Sequence, residues 1–352
     1  MTRLFLTADQ LQLETGGSLV CRNELNALMT LTGKDSWKTS FLTRDELQPD
    51  PNYEPWDCDA KAEKLVTGKD YQLCHIYSGT WGKTVKKLKG QGCKVSITIA
   101  AHDKDISREE HEKYTGSFPY PHLVDPELWK RYIEGYRLAD VIICPGTVPA
   151  ETVRRYGPDF ENKRIEIIPH GCEIPDNVAL PPERFTVGYL GAIGFDKGLI
   201  YLLQAWKKLN YKDALLVIAG KDSTSQMMYS MLEQFGGGAV CLAGWQENVS
   251  SFYNGISLYC QPSATEGFGI EILEAMAHAR PVICSRNAGA CDLLAPSMTF
   301  PARNVDALAE KIDYCKKMVG LKEVGIGNRS IAKSYSWSKI KEKYIQVWRS
   351  ML

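Results

Sequence analysis

Short apolar runs alternate with segments of helical period along almost the whole chain, and this alternation restricts the fold more than any other feature. Apolar runs at 4–7, 73–77, 95–99, 141–144, 165–168, 185–190, 215–219, 239–242, 257–260 and 281–284 predict strands. Segments such as 199–209 and 306–318 place apolar residues at helical spacing between them. Strand and helix in regular succession predict an α/β chain built on parallel sheets. A chain of 352 residues is long enough for two domains of ordinary size. The best boundary is at 177–183, where Pro181 and Pro182 stop regular structure just before the fresh strand that starts at Phe185. Domains at 1–178 and 179–333 are therefore expected, followed by a helix at 334–352 with Ser336 or Ser338 as its cap. Segment 33–70 is polar and poor in pattern, and reads as a long excursion with one helix.

Composition excludes several classes. Hydrophobic residues make up 44% and charged residues 24%, as in a soluble globular protein, and the formal net charge is +0. No global field steers such a chain to nucleic acid or to a membrane. No apolar run reaches 18 residues, and the first residues turn polar too early for a signal peptide. The eleven cysteines occur singly, with no CxxC pair, which argues against zinc and against a disulfide framework and fits a reducing cytoplasm. Lys83, Lys86, Lys87, Lys89 and Lys94 form a local basic cluster, but residues 1–180 are slightly acidic, which weakens the case for peripheral membrane contact.

The chemistry concentrates in the stretch from Pro262 to Ala277. A buried strand precedes it, and a helical pattern with apolar Ile270, Leu273, Met276 and Ala277 follows. Glu266 thus falls in a strand-to-helix loop, beside Gly267, Phe268 and Gly269, and Glu274 falls two turns into the helix. The glycines let backbone approach a ligand, and a fresh helix start aims N–H groups at the same spot, as an anion site requires. This pattern resembles the E-x7-E signature of retaining glycosyltransferases of the GT-B fold, group 1 (family 4).

That resemblance implies two Rossmann-like domains facing across a cleft, with the C-terminal helix crossing back onto the first. The first domain would bind the acceptor and the second the nucleotide-sugar. Glu266 would contact the donor sugar and Glu274 the ribose, with Gly267, Phe268, Gly269 and Ile270 lining the donor site. The loop 191–198 resembles the family's G-R-L-x-x-x-K-G element, in which an Arg and a Lys hold the donor diphosphate. Lys197 matches the Lys, but Ala192 stands where the Arg is expected. Lys221, after the next strand, is a candidate second cation. Gly16 and Gly17, opening a helix after the first strand, match a family glycine loop, and His102, at the end of the strand from 95, matches a histidine that touches the donor sugar. His170 falls in a turn that resembles the family's hinge.

The expected activity is transfer of a hexose from a nucleotide-sugar, guessed as a UDP-sugar, to a glycan, lipid or small-molecule acceptor, with retention and without metal or other cofactor. A nucleotide-sugar epimerase and a non-catalytic sugar-nucleotide binder are the alternatives. A dinucleotide oxidoreductase is disfavoured, since neither Gly16–Gly17 nor the 191–198 loop has G-x-G-x-x-G spacing.

Overall fold

The computed structural model describes residues 2–7, 11, 16–31, 38–47, 55–77, 79, 81–100, 103–116 and 126–352. The chain runs β1 (Thr2–Thr7), α1 (Gly16–Thr30), β2 (Lys38–Leu42), α2 (Arg44–Leu47), α3 (Pro55–Val66), β3 (Leu73–Tyr77), α4 (Gly82–Gly90), β4 (Lys94–Thr98), α5 (Lys104–Thr115), α6 (Pro126–Leu138), β5 (Val141–Cys144), α7 (Thr147–Arg154) and β6 (Ile165–Ile167). It continues with β7 (Phe185–Leu190), α8 (Leu199–Leu209), β8 (Ala214–Ala219), α9 (Gln226–Phe235), β9 (Val240–Gly244), α10 (Val249–Asn254), β10 (Leu258–Gln261), α11 (Ile270–Ala277), β11 (Val282–Ser285), β12 (Thr299–Phe300), α12 (Val305–Lys317), α13 (Leu321–Ala332) and α14 (Trp337–Met351). Two compact units result. One comprises 1–101, 119–170 and 337–352; the other comprises 102–118 and 171–336.

Each unit is a parallel sheet clothed in helices, as the alternation predicts. The first sheet has the order β2-β1-β3-β4-β5-β6 and the second β12-β11-β10-β7-β8-β9. Every apolar run read from sequence became a strand. The two additions are β12 and β2, and β2 lies in the segment 33–70 that sequence left as an excursion with one helix. The reason is positional. β2 pairs only with β1, at the sheet edge, and its residues are exposed or half-buried, so it needs no apolar run. Segment 33–70 also carries α2 and α3.

In the first unit α14 packs along α1, and a buried polar chain fastens it there. The Tyr344 hydroxyl donates to Glu24 at 2.5 Å, and Trp348 Nε1 donates to Ser96 Oγ at 3.0 Å. His75 joins the two acceptors, with Nε2 2.9 Å from Glu24 and Nδ1 2.8 Å from Ser96 Oγ. Burial that leaves each polar atom partnered avoids a desolvation penalty of about 1–3 kcal/mol per group. His170, read from sequence as hinge structure, is buried, and that burial lowers its pKa to about 4 against the pull of the Glu24 charge. Lys89 of the basic cluster is tied to Asp140 at 2.6 Å. Of the eleven cysteines, all but Cys241 and Cys291 are buried. Among the described residues, no helix is long and apolar enough to cross a membrane.

Candidate active site

Strand order locates the site in the second unit. Numbered within that sheet, its order is 3-2-1-4-5-6, which reverses between β7 and β10. Open α/β sheets bind ligands outside the strand carboxyl ends at such a switch point. The loop leaving β7 carries Lys197, and the loop leaving β10 carries Glu266. The switch point thus joins two loops far apart in sequence, and Lys197 Nζ meets Glu266 Oε2 at 2.8 Å. Both side chains are largely covered, at 26% and 15% exposure, so the pair is poorly screened by solvent. Burial works to lower the Lys197 pKa, but the charges of Glu266 and Asp196 outweigh it and hold the ammonium above its ordinary range.

A polar relay orients the carboxylate. The Tyr259 hydroxyl donates to Gln261 Oε1 at 2.6 Å, Gln261 Nε2 donates to Ser263 Oγ at 2.9 Å, and Ser263 Oγ stands 3.4 Å from Glu266 Oε2. Main-chain bonds bolt the same loop to the segment after β11. Glu266 N donates to the Asn287 carbonyl, Gly289 N to the Glu266 carbonyl, and Ala290 N to the Phe268 carbonyl. Only glycine fits at 289, since a Cβ there would stand 2.2 Å from the Gly267 carbonyl oxygen. Spacing along the chain gives no sign of Gly289, Asn287 or Ser263, because each matters through its neighbour in space.

Gly269 opens α11 in the left-handed region (φ 85°), and no side chain caps the first turn. By contrast, Ser225, Asn248 and Asn304 cap α9, α10 and α12 with their side chains. Glu274 is the fifth residue of α11, just over one turn in rather than two, and Tyr253 OH donates to its Oε2 at 2.8 Å. Burial raises the Glu274 pKa, with the Tyr253 hydrogen bond opposing. Sequence reasoning missed Glu271, in the first turn of the same helix. Burial first, then the charges of Glu266 and Glu274, push its pKa up to about 7.

Three neighbouring carboxyls, Glu266 in the loop and Glu271 and Glu274 on α11, make the site sensitive to pH. A free glutamate loses its proton at roughly 4.3, whereas folded Glu271 keeps its proton to about 7. Between these values the fold holds a proton that the unfolded chain lacks, so stability falls as pH rises through the window. An anionic ligand at the helix start should likewise bind more weakly above pH 7 than below it. Glu271→Gln is expected to flatten both dependences, read by thermal unfolding and by calorimetry from pH 5.5 to 8.5. Unchanged slopes would remove Glu271 from the site's titration.

Of the other sequence candidates, Phe268 and Ile270 flank Gly269 beside Glu266, whereas Gly16 and Gly17 open α1 in the first unit. Lys221 is exposed in the turn after β8 and makes no ion pair among the described residues. Ala192 is exposed, and its carbonyl accepts from the Tyr189 hydroxyl at 2.6 Å. His102 lies outside the described residues. Among those residues no three His, Cys, Asp or Glu side chains group as a metal-binding set.

Residues 173–323 match the family model of glycosyl transferases group 1. The matched segment contains both loops and all of α11. An uncharacterized glycosyltransferase of Methanocaldococcus jannaschii is 28% identical over 183 residues, covering 49% of this chain and 47% of that protein. The capsular polysaccharide biosynthesis glycosyltransferase CapM of Staphylococcus aureus is 31% identical over 177 residues, or 46% of each chain. The chain spans about half the length of these curated relatives. Among solved structures, sucrose-phosphate synthase from Thermosynechococcus elongatus superposes with a TM-score of 0.75 at 16% identity, covering 100% of this chain and 99% of that one. Anabaena HepE in complex with UDP and glucose superposes with a TM-score of 0.69 at 16% identity, covering 99% and 100%. At these identities the likeness establishes the fold, two Rossmann-like parallel-sheet domains of the GT-B kind.

Proposed function

We propose that the protein is a retaining glycosyltransferase, of the family 4 kind, that moves a hexose from a nucleotide-sugar to a sugar or lipid-linked acceptor. The observation that carries this reading is the Lys197–Glu266 pair at the switch point, set against the uncapped start of α11. The match of the group 1 model to the same segment supports it. The donor diphosphate lies against Lys197 and the N–H groups at the start of α11, where charge that grows on the leaving group is stabilised without metal. Glu266, held by Lys197 and Ser263, accepts hydrogen bonds from donor sugar hydroxyls. Glu274, steadied by Tyr253, accepts from the ribose hydroxyls. UDP is the proposed nucleotide, as the HepE complex holds UDP, and polysaccharide assembly the proposed setting, in keeping with the CapM likeness.

Calorimetry with UDP, GDP and ADP tests the donor site. One of the three is expected to bind, and Glu274→Gln to weaken it about 10-fold or more, since a charged hydrogen bond contributes roughly 1.5–3 kcal/mol. Transfer is expected to persist in EDTA. Binding of none of the nucleotides would overturn the reading. Loss of transfer with chelator, restored by Mg²⁺ or Mn²⁺, would overturn the metal-free diphosphate site. Incubating the nucleotide-sugar without acceptor separates a transferase, which leaves the sugar's configuration intact, from an epimerase, which changes it.

A further inference from the structure

Helix α5 follows β4 in sequence, yet it groups with the second unit. Its start is capped by Asp103, whose side chain accepts from Asp105 N and Ile106 N. The backbone N–H of Asp103 donates to Thr265 Oγ1 at 2.8 Å, one residue before Glu266. At the other end, the Tyr114 ring stacks on Phe195 (5.5 Å between centroids, 15° between planes), and His111 meets the same ring edge-on at 5.4 Å. Phe195 stands two residues before Lys197. Between these ends, buried Glu110 accepts from Tyr201 OH at 2.7 Å, and Tyr201 lies in the first turn of α8, which begins just after Lys197. Arg303 closes the outer side, 3.1 Å from Glu109 and 3.5 Å from Glu110. The two loops are also joined directly, since the Asp196 carbonyl accepts from Ala264 N at 2.8 Å and Thr265 N at 3.3 Å.

We propose that α5 is a positioning element of the donor site, holding the backbone beside both Lys197 and Glu266 so that their side chains meet. This rests on the donor-site reading above, but the positioning itself does not depend on which ligand binds. A stacked aromatic pair contributes about 0.5–1.5 kcal/mol beyond its buried area and fixes the separation of the elements that carry it. The long lysine side chain has many rotamers, so a small shift of its backbone is enough to lose one defined contact. Tyr114 and Thr265 thus act through Lys197 and Glu266 and are positioning residues.

The test measures the coupling between Lys197 and Glu266 from a double-mutant cycle of thermal stability, using Lys197→Ala, Glu266→Ala and the pair. The cycle is run in the full chain, then with Tyr114→Ala, Tyr114→Phe and Thr265→Val. Tyr114→Ala and Thr265→Val are each expected to reduce the pairing constant about fivefold or more, and Tyr114→Phe, which keeps the stack, to restore it. Thr265→Val preserves shape and serves if Tyr114→Ala does not fold. A coupling unchanged in whichever of these two variants folds would overturn the proposal, as would a failure of Tyr114→Phe to restore it. Nucleoside diphosphate binding, measured on the same proteins, reports separately on the donor site. If none binds the wild type, that reading falls, while the coupling still decides the role of α5.

Discussion

Replacing Glu266 with alanine is expected to slow sugar transfer by about 100- to 10,000-fold while the fold survives. A carboxylate that accepts two hydroxyl hydrogen bonds contributes roughly 3–6 kcal/mol in all, at 1.5–3 kcal/mol for each charged bond. Each 1.36 kcal/mol of transition-state stabilisation is about tenfold in rate. The loop should hold its shape, because it is bolted through main-chain atoms that alanine retains: Glu266 N to the Asn287 carbonyl and Gly289 N to the Glu266 carbonyl. Single-turnover rates and a thermal unfolding curve on the same sample check both halves of this expectation. A variant that turns over at the wild-type rate would remove Glu266 from the mechanism. Glu266→Gln keeps the side-chain shape and isolates the contribution of its charge.

Lys197→Ala is the second large effect. The side chain faces Glu266 at 2.8 Å, and Glu271, whose pKa burial and the neighbouring carboxylates push up to about 7, stands in the first turn of the helix that follows. Without the ammonium, an incoming diphosphate meets carboxylates with no paired cation beside them. Truncating one partner of a covered charge pair costs about 2–5 kcal/mol. The expected loss in nucleoside diphosphate affinity is therefore about 100-fold. The double variant with Glu266→Ala should lose less than the two single losses combined, because the two side chains interact directly. Ala192→Arg, which restores the second family cation, is expected to tighten diphosphate binding modestly, since a planar guanidinium pairs two phosphate oxygens at once. Looser binding in a folded Ala192→Arg protein would mean that the loop 191–198 does not lie on the diphosphate. Calorimetry with the nucleotide that binds wild type measures all of these.

Sequence by itself determined the elements and the chemical types at the site. Period and apolarity are local properties, so ten strands could be read from runs of four to six residues, and the strand–loop–helix around Glu266 and Glu274 from their spacing. An edge strand such as β2, half-exposed and polar, leaves no comparable trace. Strand order decided the rest. The Lys197–Glu266 contact joins positions 69 apart in sequence, and it exists because β7 and β10 are neighbours at the reversal of the second sheet. The raised pKa of Glu271 is likewise a product of burial and of two carboxylates brought close by folding. The attachment of α5 to the second unit depends on a stacked ring at Phe195 and a hydroxyl at Thr265, residues that carry no signal of their own. Local periodicity sets what each segment becomes, but which loops share an electrostatic environment depends on the order in which the strands pair, and only the tertiary structure fixes that.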